Sequence, residues 1–190
     1  MKAPLIYFGS YTPINHLWFS PGANTKIRQT LESLKNVSNR VLFINYAPNG
    51  KLDFDFLSLN SCRSYNPILY SFEILFSLFS TRDKELRGYK QISLLVYNPR
   101  FTSLLIYVSS LLCFAKVDLF IQVEDIPCAR STNLGIKGWI DQLSFKILSK
   151  RSKHIFYASP KMLLEARRIS NIMIIVQLAK VSQTLPYCVQ

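Results

Sequence analysis

Residues 91–123 read QISLLVYNPRFTSLLIYVSSLLCFAKVDLFIQV, and the fold class is clearest here. Gln91–Tyr97 and Val117–Val123 are apolar mostly at consecutive positions, which is typical of strands buried on both faces of a sheet. Between them, Phe101–Lys116 has the length and the spacing of a helix. A strand, a helix and a strand in this order predict two parallel strands joined by a crossover helix.

The same alternation continues in both directions along the chain. Further strands are predicted at Pro4–Phe8, Arg40–Asn45, His154–Ala158 and Asn171–Val176, and further helices at Pro21–Lys35, Ile68–Phe79 and Gly138–Ser149, with a short one beginning near Ser159–Pro160. The strict alternation of Leu52–Leu57 predicts a small edge strand. We therefore predict an α/β fold: a Rossmann-like parallel sheet with helices on both faces.

Two of the predicted helices show a clear apolar face. In the helix at 21–35, Ser20 is suited to the N-cap and Pro21 to the first helical position. Its apolar stripe consists of Ile27, Leu31 and Leu34. The helix at 138–149 carries Trp139, Leu143, Ile147 and Leu148 on one face.

Length and composition set the class of protein. The 190 residues favour one domain, which we place at 1–176, with 177–190 as an irregular tail or the truncated start of a further domain. Apolar residues make up 49% of the chain, which excludes global disorder. The net charge of +12 favours nucleic acid, an acidic membrane surface or a phosphate-bearing small molecule as a partner. Because no nucleic-acid-binding motif is present, we predict no nucleic-acid partner.

Cysteine usage and hydropathy indicate the compartment. The four cysteines show neither C-x-x-C nor metal-site spacing, so we predict no metal and a reducing, cytoplasmic setting. The apolar run near the N-terminus is too short for a signal peptide. The apolar stretch 64–81 carries Pro67 and Glu73, and the stretch 101–115 is too short to span a bilayer. Peripheral attachment at the inner face of the membrane is left open.

The loop after the first strand is the first candidate site. Gly9 and Ser10 follow the strand, and Gly22 and Ala23 open the next helix, where small residues let backbone N–H groups approach an anionic ligand. His16 lies in the same loop and is a candidate ligand contact. Neither the dinucleotide fingerprint nor the Walker sequence is present. The alternative interpretation is an ordinary strand-to-helix turn with a cap.

Two carboxylates form the second candidate site. Glu124 and Asp125 follow the strand Val117–Val123, at the edge where parallel sheets bind ligands. A carboxylate in this position can act as a general base or orient a substrate hydroxyl. The alternative is that these acids are exposed loop residues or helix caps. No nucleophile elbow is present for a Ser/His/Asp arrangement.

Several stretches together resemble one protein family. They are Tyr7–Ser10 with Pro21–Ala23, Val41–Tyr46, Leu95–Pro99, Gln122–Pro127 and His154–Met162. The chain is similar to the N-terminal, acceptor-side half of GT-B glycosyltransferases of the retaining type (glycosyltransferase family 4-like), over residues 1 to about 176. The resemblance implies that Gly9, Ser10, His16, Gly22, Ala23 and Asn98 bind substrate.

The resemblance also implies partners. The donor is a nucleotide sugar, used as a substrate rather than a cofactor, and the acceptor is a glycan or a lipid-linked molecule. The family's donor-binding domain carries two glutamates seven residues apart, and this sequence has no such pair. The family often has two adjacent glycines where this chain has Gly22 and Ala23, and a histidine in the region of Glu124 and Asp125. We expect a separate donor-domain chain as a partner, or weak or no activity of the isolated chain.

Two other hypotheses remain at this point. The first is a non-catalytic basic domain that docks on a partner protein or an anionic membrane surface through the nearly all-apolar helix around Ile68–Phe79. Its basic residues for lipid headgroups are Lys146, Lys150, Arg151 and Lys153, with Arg167 and Arg168, for which the alternative is a solvated basic face. The second is a truncated gene product, suggested by the unpatterned residues 177–190.

Overall fold

The computed structural model describes residues 3–16, 19–36, 38, 40–60, 62–124 and 135–158. In this part of the chain the strands are β1 (Leu5–Gly9), β2 (Val41–Asn45), β3 (Ser58–Asn60), β4 (Gln91–Tyr97), β5 (Lys116–Val123) and β6 (His154–Tyr157). The helices are α1 (Pro21–Lys35), α2 (Pro67–Glu85), α3 (Phe101–Cys113) and α4 (Ile136–Arg151). The α/β prediction is therefore confirmed.

All six described strands form one parallel sheet in the order β3-β2-β1-β4-β5-β6. β1 lies at the centre, where Phe8 is in register with Ile44 of β2 and Val96 of β4. The chain builds outward from β1 to β2 and β3, then returns to place β4 on the other side of β1. This reversal of strand order creates a crevice between the carboxyl ends of β1 and β4.

Helices cover both faces of the sheet, as predicted. Side chains of consecutive strand residues point to opposite faces, so Phe8 packs in the cluster that contains α2, α3 and α4 residues, whereas Tyr7 packs in the cluster that contains α1 residues. Ile27 and Leu31 of α1 are fully buried. The apolar stripe predicted for this helix is its core face.

Helix bounds follow local signals. α1 spans the predicted residues, with Pro21 at its start, but the Ser20 side chain makes no capping hydrogen bond. α2 begins at Pro67, one residue before the predicted start, because Asn66 caps it, its Oδ1 accepting from the N–H groups of Ile68 and Leu69 at 3.0 and 3.4 Å. It continues beyond the predicted Phe79 to Glu85. α3 ends at Cys113, before the predicted Lys116, which instead begins β5.

The predicted edge strand at Leu52–Leu57 is wrong. The edge strand is β3, which follows it, and pairs with β2 from Phe43↔Ser58 onward. The alternation is nevertheless real, since Leu52, Phe54 and Phe56 pack on the α1 side of the core. Alternation requires only that every second side chain faces the core, and it does not require ladder hydrogen bonds.

Two further predictions lie outside the described residues: the short helix near Ser159–Pro160 and the strand Asn171–Val176. The division at residue 176 stays a prediction for the same reason. No helix in the described part of the chain has both the length and the apolarity needed to cross a bilayer.

Candidate functional site

The crevice at the carboxyl ends of β1, β4 and β5 brings together residues from three separate parts of the sequence. Gly9 ends β1, Asn98 follows β4, and Glu124 follows β5. Because these strands are parallel neighbours, their carboxyl ends lie at one edge of the sheet. The structure therefore places Ser10, Asn98 and Glu124 along the same edge, as the sequence predicted.

Asn98 determines the path of the chain at this edge. Its φ of 47° lies in the left-handed region, which asparagine tolerates better than most residues. Its backbone N–H donates to the Gln122 carbonyl at 2.8 Å, and its Oδ1 accepts from the Glu124 N–H at 2.7 Å. Asn98 thus fixes the backbone of Glu124 relative to β4.

Gln122 orients the Glu124 carboxylate. Its Nε2 donates to Glu124 Oε1 at 3.2 Å and lies 3.5 Å from Thr30 Oγ1 of α1. Its Oε1 accepts from the Tyr7 hydroxyl at 3.5 Å. This polar network connects β1, α1 and β5, and Glu124 is partly exposed at its end. The sequence offered one signal for it, a glutamine inside a buried strand.

Tyr7 is held in its neutral form. Burial raises the pKa of its phenol well above the ordinary value, and the Glu124 carboxylate raises it further. A neutral phenol keeps its proton and remains a donor to Gln122 across the ordinary pH range. The network therefore holds the Gln122 amide in place as a hydrogen-bond donor to one carboxylate oxygen of Glu124.

Gly9 and Ser10 have different roles. A methyl group at Gly9 would lie 3.3 Å from the Phe43 ring and 3.4 Å from Ile27 Cδ1, so this glycine allows α1 to pack closely on the sheet. Ser10 is partly exposed, and its hydroxyl makes no hydrogen bond within the described residues. Ser10 is thus available to a ligand at the crevice, whereas Gly9 shapes the crevice wall.

The start of α1 is tied to the loop after β1. The Thr12 N–H donates to Asn24 Oδ1 at 3.1 Å, and Asn24 Nδ2 donates to the Thr12 carbonyl. Gly22 is exposed with open space around it, and Ala23 packs against the α1-side core. The positive end of α1 therefore borders the loop that carries Ser10.

The start of α3 is less open. Asp141 of α4 accepts from the Phe101 N–H at 2.9 Å, and Ser103 Oγ accepts from the Arg100 N–H at 3.2 Å. These contacts satisfy donors that a ligand would otherwise use. Among the helices that begin at this edge, α1 is the better candidate for an anionic group.

His16 lies on the β2 side of the crevice. Its Nε2 lies 2.7 Å from the Pro48 carbonyl oxygen, which can only accept, and 3.2 Å from the Tyr65 hydroxyl. The histidine therefore joins the loops that follow β1 and β2. Neither of these two contacts is with the network of Glu124.

Asn45, at the end of β2, is a structural residue that sequence reasoning missed. Its Oδ1 accepts from the N–H groups of Tyr11 and Ala47 at 3.0 and 3.2 Å. Its Nδ2 donates to the carbonyls of Tyr11 and Gly50 at 2.8 and 3.1 Å. A methyl group at Gly50 would lie 2.7 Å from the Tyr11 carbonyl oxygen, so this turn requires glycine. Asn45 and the turn at Gly50 together fix the loop that carries Ser10.

Asp125, the second predicted catalytic carboxylate, lies outside the described residues. Within the described chain, no group of three or more metal-ligating side chains is present. A shallow depression of about 480 Å³ is lined by Arg40, Arg87 and Lys90. It lies at the amino-terminal edge of the sheet, opposite the crevice, where parallel sheets do not bind ligands.

Comparisons with known proteins establish the fold. No protein-family model matches the chain, and no curated protein matches it. Among solved structures, a sucrose-phosphate synthase from Thermosynechococcus elongatus is similar, with a TM-score of 0.64 and 12% sequence identity. The match covers 90% of this chain and 46% of that protein. The chain therefore has a Rossmann-like fold of the kind that forms one half of a GT-B glycosyltransferase, and it spans less than half the length of this structural neighbour.

Proposed function

We propose that this chain is the acceptor-binding half of a glycosyltransferase that transfers a sugar from a nucleotide-sugar donor to a glycan or a lipid-linked acceptor. The similarity of 90% of the chain to one half of a GT-B enzyme is the observation that carries the proposal. A fold alone supports many activities, so the assignment also depends on the polar groups at the crevice.

Glu124 is the residue to which we assign the acceptor. One of its carboxylate oxygens receives a hydrogen bond from Gln122, and Asn98 fixes its backbone. A carboxylate held in this way accepts hydrogen bonds from sugar hydroxyl groups and orients the attacking oxygen. Asp125, the next residue in the chain, is proposed as a second carboxylate at the same edge.

The remaining predicted residues contribute binding. The Ser10 hydroxyl is a second contact for a sugar, and the first turn of α1, with Gly22 and Ala23, favours a phosphate-bearing group. His16 borders the crevice from the β2 side through its contacts with Pro48 and Tyr65. We assign the donor phosphates mainly to a second domain, on the same or on a separate chain, since a departing nucleotide diphosphate requires positive groups aimed at it.

The proposal is tested by NMR titration of the ¹⁵N-labelled chain with hexoses, hexose phosphates and nucleotide sugars. We expect a sugar or sugar phosphate to shift the amide signals of Ser10, Asn98 and Glu124. The variant Glu124→Gln should bind that ligand about 10- to 100-fold more weakly, because it replaces a charge-assisted hydrogen bond. The matched control Glu32→Gln changes an exposed carboxylate on α1 and should bind as the wild type does. Equal losses in both variants, or no shift at the crevice with any of these compounds, would contradict the proposal.

A second candidate function is that of a non-catalytic domain that docks on a membrane or a partner protein. Large apolar side chains exposed on α2, α3 and α4 favour it. The two functions are compatible, because the crevice and these side chains are different surfaces. The titration separates them, since a purely docking domain would leave the crevice signals unchanged.

A further inference from the structure

The layer formed by α2, α3 and α4 exposes apolar side chains over its whole outer side. α3 contacts both α2 and α4, so it lies between them. The exposed apolar residues of this layer are Ile68, Leu69, Phe72, Phe76, Phe79, Phe101, Val108, Leu111, Leu112, Ile136, Trp139, Leu143 and Ile147. We call this set the outer apolar surface.

Helix periodicity shows that these residues form stripes. On α2, the rings of Phe72 and Phe76 stack with centroids 6.4 Å apart, and Phe79 continues the row at 5.7 Å from Phe76. The opposite side of α2 carries the fully buried Ile74 and Leu78. The helix is thus apolar on its core side and on its solvent side.

The outer apolar surface is larger than ordinary surface composition explains. Phe72, Phe76 and Trp139 are 54%, 54% and 60% exposed. At 150 to 250 Å² per aromatic side chain, these three alone expose roughly 250 to 400 Å². The largest apolar patch on a typical monomer is about 300 to 600 Å², and the aliphatic side chains around the aromatic ones add to the area.

The helices of this layer carry charges of both signs, and two of their acids accept hydrogen bonds from backbone N–H groups. α3 has no charged residue along its whole length. On α2, the Glu73 carboxylate is engaged by the N–H groups of Arg63 and Ser64 at 2.8 and 3.1 Å. On α4, Asp141 is engaged by the Phe101 N–H. Both carboxylates therefore act as hydrogen-bond acceptors for backbone N–H groups of the protein.

Lysines stand within the α4 stripe. Lys146 and Lys150 are exposed, and they lie three residues after Leu143 and Ile147 respectively, which places them on the same side of the helix. A lysine can bury its aliphatic stem beside an apolar surface and extend its ammonium group to the polar boundary. Protein–protein interfaces are depleted of lysine, so this arrangement fits an anionic lipid surface better than a protein partner.

We propose that the outer apolar surface docks on the headgroup region of an anionic phospholipid bilayer, with Lys146 and Lys150 on the lipid phosphates. Phe72, Phe76 and Trp139 enter the boundary between headgroups and acyl chains, where aromatic side chains are favoured. The helices lie on the membrane and do not span it. This docking is independent of the proposed transferase function, because it requires no sugar and no turnover.

Flotation of the whole chain with vesicles tests the proposal. We expect binding to vesicles of phosphatidylcholine with phosphatidylglycerol, weak binding to phosphatidylcholine alone, and loss of binding between about 0.1 and 1 M salt, where the screening length falls from about 10 to 3 Å. The variant Phe72→Ser/Phe76→Ser should lose about tenfold or more in affinity. The variant Lys146→Glu/Lys150→Glu should lose about 25-fold or more.

Two controls match these variants. Lys26→Glu/Lys51→Glu makes the same change in net charge at exposed lysines outside the outer apolar surface, and Ile14→Ser removes a 75% exposed apolar side chain from the loop after β1. Both should bind as the wild type does, and urea unfolding verifies that all variants are folded. Equal losses in the charge-matched pair, or full binding by the phenylalanine variant, would overturn the proposal. A dimer in light scattering that Phe72→Ser/Phe76→Ser dissociates, without vesicle binding by the wild type, would instead show an interface between copies of the chain and would also overturn it.

Discussion

Replacing Asn45 with alanine should reduce the free energy of unfolding by about 3 to 5 kcal/mol. The side chain is only 2% exposed and makes four hydrogen bonds to the backbone of Tyr11, Ala47 and Gly50. Alanine leaves four polar groups without these partners, at about 1 to 3 kcal/mol for each group that stays dry. Water entering the vacated space satisfies some of them, so we expect less than the full sum.

Urea denaturation followed by circular dichroism measures this loss. The control is Asn36→Ala, which changes an exposed asparagine just after α1 and should alter stability by at most about 0.5 kcal/mol. Asn45→Ala should also weaken any ligand binding at Ser10, because Asn45 holds the loop that carries Ser10. A loss below about 1 kcal/mol for Asn45→Ala would refute the argument that these four bonds fix the loop.

Three further predictions concern packing and pH. Gly50→Ala should cost about 1 to 3 kcal/mol through its backbone clash, whereas Gly22→Ala, with open space around it, should change stability by less than about 1 kcal/mol; urea denaturation compares them. The hydrogen bond from Lys153 lowers the pKa of Asp118, so its stabilisation is present above the ordinary pKa of 3.8 and is lost as the pH falls through the lowered value. Asp118→Asn should therefore lose about 1 kcal/mol at neutral pH and show a shallower acid transition. Burial, followed by its hydrogen bond to a carboxylate, raises the pKa of Tyr11 to about 12. Its contribution to stability is complete below pH 10 and is lost between about pH 10 and 12, so the free energy of unfolding should fall less steeply with rising pH in Tyr11→Phe than in the wild type.

Much of the fold could be predicted because strong local signals coincide. Pro21 and the stripe of Ile27 and Leu31 determine the start and the core side of α1, whose bounds agree with the prediction. The bounds of β4 likewise agree with the prediction, because a short run of consecutive apolar residues is typical of a strand that is buried on both faces of a sheet. These elements are specified by residues adjacent in sequence.

The spacing of the apolar residues identified one face of α4, but it did not show whether that face lies against the core or toward solvent. Of the predicted face, Trp139, Leu143 and Ile147 face solvent. Leu148, which was predicted on the same face, is buried with Ser144 and Phe145 on the core side, so this part of the prediction is wrong. Serine is small enough to allow close packing of a helix on its neighbours, and a hydropathy pattern gives such a residue no weight. The direction in which an apolar stripe points is therefore a property of the tertiary structure.

The residues of the candidate site also differ in how well the sequence could predict them. The positions of Ser10 and Glu124 were predictable because topology alone places strand ends at one edge, whereas Asn98 was singled out only through the family resemblance. Gln122 and Asn45 were missed, because their partners lie up to 115 residues away in the chain and become neighbours only after the sheet forms. Residues that position a site are therefore harder to identify from the sequence than residues that directly follow a strand.

The two proposed surfaces meet at one edge of the molecule. α3 and α4 follow β4 and β5, and α2 follows β3, so all three helices begin at the carboxyl edge of the parallel sheet, where the crevice lies. The outer apolar surface consequently starts there, with Phe101 only three residues after Asn98. A chain docked through this surface holds the carboxyl edge of the sheet at the side of the docked layer. The Glu124 carboxylate belongs to the other face of the sheet, because its partner Gln122 contacts Tyr7 and Thr30 on the α1 side. If both proposals hold, an acceptor in the bilayer reaches Glu124 only around this carboxyl edge, so docking by itself does not distinguish a lipid-linked acceptor from a soluble one.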